Sequence, residues 1–119
     1  MGDASTDVIA ITLIALAVGL AFIAGCAIHY GRQITAPRVP MQWGFDGQPN
    51  WFAPRLVGIW FSFGFTAVLS ALLLGAAVHE PDKLAPLIFA TAIVTATNMW
   101  VQVYHLHRVI RWQAAAPAR

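Results

Sequence analysis

Three long apolar stretches dominate the chain. No Asp, Glu, Lys, Arg or His occurs from Val8 to Ile28, from Leu56 to Val78 or from Leu84 to Tyr104. Each stretch approximates the ~20 helical residues that cross a hydrocarbon layer about 30 Å thick. The pattern predicts an all-α integral membrane protein, one domain over residues 1–119, with transmembrane helices at about 8–28, 56–78 and 84–105. Residues 29–55 form the one long connection, His79 to Lys83 a tight turn, and 106–119 a basic tail.

Polar and small residues within these runs are not scattered. Thr91, Thr95, Asn98, Gln102 and His105 alternate by four and three positions, which places them on one face of the third helix. Asn and Gln are costly against lipid, so this stripe is expected to face the bundle or a partner. It reads either as the lining of a small polar cavity or as interhelical hydrogen bonding. Small residues recur every four positions at Ala17, Ala21 and Gly25, and again at Gly58, Ser62, Thr66 and Ser70. Such rows let helix backbones approach closely in a membrane, within one chain or between copies.

The long connection carries Pro37, Pro40, Pro49 and Pro54, with Trp43, Phe45, Trp51 and Phe52 between them. Asp46-Gly47 is a tight-turn dipeptide, and Pro49 restricts Gln48 to extended geometry. The segment therefore reads as a structured interfacial loop folded back as a cap over the helix ends.

Composition agrees with the pattern: 59% of residues are hydrophobic and 10% charged, against about a quarter charged in soluble domains. Charge placement adds an orientation. Arg32, Arg38, Arg55, Arg108, Arg111 and Arg119 fall in the long loop and the tail, leaving only Lys83 on the other side. The excess of Lys and Arg marks the cytoplasmic face, so the N-terminus is expected outside and the C-terminus inside. The basic pI of about 9.2 reflects this bias and gives no reason to expect nucleic acid as a partner.

Candidate chemistry is sparse. The sequence has no Ser/His/Asp set at recognisable spacing, no phosphate-cradling Gly loop and no H-E-x-x-H, and its spans contain no carboxylate. A non-enzymatic protein without a cofactor is expected. His29, His105 and His107 are the candidate ligands of an alternative, a small haem or metal carrier. Cys26 is the only cysteine, so no internal disulfide is possible.

The loop residues Pro40, Trp43, Gly47 and Pro49 resemble the motif of SdpI-type bacterial immunity proteins, Pro-x-His-Trp/Phe-Asn-x-x-Gly-x-Pro-Asp, which follows the first transmembrane helix of that family. Gln42 stands where the family has His, Gly44 where it often has Asn, and Asn50 where it often has Asp. These departures remove the two most ionisable motif positions. The resemblance implies a bacterial inner-membrane protein of accessory or immunity type, binding a peptide, a lipid or a membrane protein. It also implies a loop outside the cell, opposite to the charge reading. A homo-oligomer or membership in a larger membrane complex, such as a respiratory or photosynthetic one, fits the short three-helix plan. The ligand or partner is expected where stripe and loop meet, at Pro40, Trp43, Asp46, Gly47, Pro49, Trp51, Asn98, Gln102 and His105.

Overall fold

The computed structural model describes residues 4–115; Asp3 and the Arg119 end of the basic tail lie outside the described residues. Helix α1 spans Ala4–Gly31, strands β1 and β2 span Arg38–Trp43 and Pro49–Pro54, α2 spans Arg55–His79, and α3 spans Leu84–Ala115 after a 3₁₀ turn at Pro81–Lys83. All three helices are long and apolar enough to cross a membrane. The molecule is elongated, 61 × 27 × 18 Å.

Two features depart from the sequence reading. First, the capping loop contains an antiparallel β-hairpin, with Arg38 opposite Pro54 and Gln42 opposite Trp51. Prolines argue against central strands, but a two-stranded ribbon has only edges, where a missing N–H need not break the ladder. The pairing slips on both sides of Gln42, and Pro40 sits beside the first of these irregularities. Asp46 and Gly47 close the hairpin: the Gln48 N–H donates to Asp46 Oδ1 at 3.0 Å, and Gly47 adopts φ +80°, which suits glycine.

Second, α3 does not end near His105. Residues 106–115, assigned to the tail, continue the helix. Leu106, Val109 and Ile110 prolong an inward apolar stripe, while His107 and Arg111 stay exposed. At about 1.5 Å per residue, the 32-residue helix is about 48 Å long. It exceeds the hydrocarbon thickness, so its last turns project beyond it. There Gln113 ties down the connection from α1: its Oε1 accepts the N–H groups of Thr35 (2.8 Å) and Ala36 (3.0 Å), and its Nε2 donates to Gln33 O (2.9 Å).

The apolar core lies at the hairpin end. Cys26 and Ala27 of α1, Ile34 of the linker, Val39 of β1, Ile59 of α2, and Leu106 and Val109 of α3 are all buried together. Farther along the spans the outward faces are apolar and exposed, as at Ile11, Ile14, Phe65, Leu72, Phe89 and Ile93. Lipid is the environment in which such faces are stable.

The two small-residue rows take different roles. Gly58, Ser62, Thr66 and Ser70 are buried, so the α2 row serves packing within the chain. The α1 row does not: Ala17, Ala21 and Gly25 face outward. Helix α1 instead packs through Gly19, Ile23, Cys26 and Ala27, and a Cβ on Gly19 would overlap Thr95 of α3.

Candidate functional site

The hairpin lies over the seam between α2 and α3 because α2 begins immediately after β2 and offers Gly58 one turn in. Val39 and Met41 of β1 fill the space that a side chain at Gly58 would occupy. Beside this contact is a pocket of about 240 Å³. Met41 and Trp51 come from the hairpin, Gly58, Phe61, Ser62 and Phe65 from α2, and Asn98, Val101 and His105 from α3. Aromatic and aliphatic groups make most of its wall, with a few polar atoms, as in small-molecule sites generally.

The polar groups are differently engaged. Asn98 Nδ2 donates to Val94 O at 2.8 Å within its own helix, leaving Oδ1 for another donor. The Nε2 of His105 is buried without a protein partner. Gln102, one turn from Asn98, is fully buried. Its Nε2 donates to Ile23 O of α1 at 3.1 Å and to Ile59 O of α2 at 3.3 Å, joining all three helices. Thr91 and Thr95 donate back to Leu87 O and Thr91 O, at 2.9 and 2.8 Å. The stripe therefore divides. Gln102 joins the three helices, Thr91 and Thr95 bond within α3 and line a separate, mostly apolar cavity of about 300 Å³ against α1, and Asn98 and His105 reach the pocket under the hairpin.

Of the loop residues expected at the site, only Trp51 lines this pocket. Pro40 is buried in β1, and Asp46 and Gly47 build the exposed turn. Pro49 pairs with Trp43 at the hairpin's far end. Trp43 meets the outer side of α3 instead, with the Arg108 guanidinium 4.1 Å from its ring centroid. Arg108 also donates to Tyr104 Oη at 3.0 Å, and Tyr104 stacks on Trp100 at 5.2 Å. Met41, Gly58, Phe61, Ser62, Phe65 and Val101 were not expected at the site. Ser62 and Gly58 carried a signal in the small-residue row; the apolar residues carried none beyond hydrophobicity.

The three candidate metal-ligating histidines do not converge. The rings of His29 and His107 both contact Tyr30, at 4.8 and 4.5 Å between centroids. His105 lines the pocket, because side chains two positions apart on a helix do not share a face. Among the described residues no group of three or more His, Cys, Asp or Glu is placed to hold a metal ion.

The fold and its seam define the class: a multi-pass membrane protein of three helices with a hairpin cap. No protein-family model matches the chain, and neither a curated protein nor a solved structure matches it.

Proposed function

We propose that this chain is a non-enzymatic bacterial inner-membrane protein of SdpI-like accessory or immunity type, which binds a peptide, lipid or membrane-protein partner at the α2–α3 pocket. One observation carries the reading: the motif-bearing hairpin and the polar stripe meet at a single pocket, through Trp51, Asn98 and His105. A merely anchoring loop has no need to roof a polar seam. The distribution of Lys and Arg supports an N-terminus outside the cytoplasm, with hairpin and C-terminus inside it. A cysteine introduced at Gln48, in the exposed turn, should then resist impermeant thiol reagents applied to intact cells; efficient labelling reverses the orientation.

A second reading, an accessory subunit of a larger complex, is favoured by the outward row Ala17, Ala21 and Gly25. Such a row suits close approach of another helix. Photochemical cross-linking in native membranes separates the two. A cross-linker at position 51 should yield a discrete adduct in the first case. In the second, position 51 yields none and position 21 yields a protein-sized one.

A further inference from the structure

The pocket does not stand alone. On the membrane-facing side of α2 runs an open apolar groove of about 770 Å³, bounded by residues from Leu56 to Leu72. Phe61 and Phe65 line both spaces. Their rings stack at 5.9 Å and 19°, forming a common wall. Between Leu56 and Leu72 a helix rises about 24 Å, more than the ~15 Å hydrocarbon depth of one leaflet. Gly64 forms part of the groove's lining, and a Cβ there would meet nothing within 4 Å.

A pocket with a few polar atoms, separated from an apolar groove only by the shared Phe61 and Phe65 side chains, matches a molecule with a small head and an acyl chain that passes over those rings. The pocket also restricts the head's charge. No Asp, Glu, Lys or Arg lines it. Three arginines of the surrounding elements are engaged elsewhere: Arg38 donates to Phe52 O (3.2 Å), Arg55 to Ile34 O (3.3 Å), and Arg108 is held by Trp43 and Tyr104; Arg111, farther along α3, is exposed and lies outside the lining. His105 is the one titratable residue in the lining, and its imidazole can pair a phosphate or carboxylate only by taking up a proton in a buried site, so a charged head would lose water without a standing counter-ion, which is unfavourable. A hydroxyl has no such cost. It can donate to Asn98 Oδ1, beside the Ser62 hydroxyl and the His105 imidazole. Resting on the pocket reading above, we infer that the ligand is a bilayer lipid with an uncharged, hydroxyl-bearing head, seated in the pocket with its chain in the α2 groove.

The probes are monoolein, oleate and oleoyl lysophosphatidylglycerol, which share a chain and differ in the head. They are titrated into the detergent-solubilised protein and followed by native mass spectrometry. One monoolein should be retained about tenfold more tightly than either charged lipid, a difference of about 1.4 kcal/mol. Asn98→Leu should remove that preference. Gly64→Leu, which fills the groove at an unobstructed position, should weaken monoolein retention while leaving the hairpin in place. Circular dichroism and thermal unfolding verify that each variant is folded. Equal retention of all three lipids, or monoolein retention indifferent to both substitutions, overturns the inference. A peptide or protein adduct at position 51 without monoolein binding sinks the lipid assignment and spares the pocket reading. No adduct and no monoolein binding removes both.

Discussion

Gly58→Leu should detach the hairpin from the helices and cost about 3 kcal/mol of stability, the upper part of the usual range for overpacking. A bare Cβ at Gly58 already overlaps Val39 and comes within 3.3 Å of Met41 Sδ. Val39 is 1% exposed and β-branched, so it has little rotamer freedom with which to yield. Replacing a helical glycine normally gains up to about 1 kcal/mol in propensity, which is too small to offset the overlap. Gly75→Leu is the matched control, since a Cβ there meets nothing within 4 Å. Unfolding in detergent should show a loss at position 58 and little change at 75. Hydrogen exchange should locate the loss in residues 38–54. An equally stable Gly58→Leu variant with a protected hairpin would show that the close contact is not maintained.

Gln102→Ala should cost about 2–3 kcal/mol. Two interhelical hydrogen bonds contribute roughly 0.6 kcal/mol each in a membrane; the rest comes from the cavity left at a fully buried site. Gln102→Leu separates these contributions. It keeps most of the volume, gives up both bonds, and also removes the buried Oε1 that has no protein partner. Its expected cost is about 1 kcal/mol or less. The two substitutions, compared by denaturant unfolding in the same detergent, should rank Ala well below Leu. Equal losses would assign the whole effect to the hydrogen bonds, and no loss in either would remove Gln102 from the three-helix junction.

The spans were legible because hydrophobic length is a direct consequence of bilayer thickness, and α1 and α2 contain the apolar runs that define them. The inward direction of Gln102 was legible for a related reason, the cost of an amide against lipid. The extension of α3 was not, because charges at His107, Arg108 and Arg111 mask a continuing stripe at Leu106, Val109 and Ile110. Nor was the hairpin, whose prolines read as interruptions although both strands are edges. Asp46-Gly47 did mark its turn. Its position over the seam depends on the fit of Val39 to Gly58, a contact between residues far apart in sequence that no local pattern encodes. Without that position, Trp51 could not be assigned to the same place as Asn98 and His105, nor Trp43 to a different one. The rows of small residues looked alike in sequence, yet only the α2 row packs inside the chain. Spacing shows that a close approach is available, and the partner is decided elsewhere.

The seam pocket under the hairpin is proposed to hold a specific occupant. Photochemical cross-linking from position 51 in native membranes tests it most directly, with position 89 as reference, since Phe89 is exposed on the outer face of α3. A discrete adduct is expected from position 51, disappearing in the Gly58→Leu background, with only diffuse lipid labelling from position 89. Identical diffuse labelling from both positions, unaffected by Gly58→Leu, would contradict it.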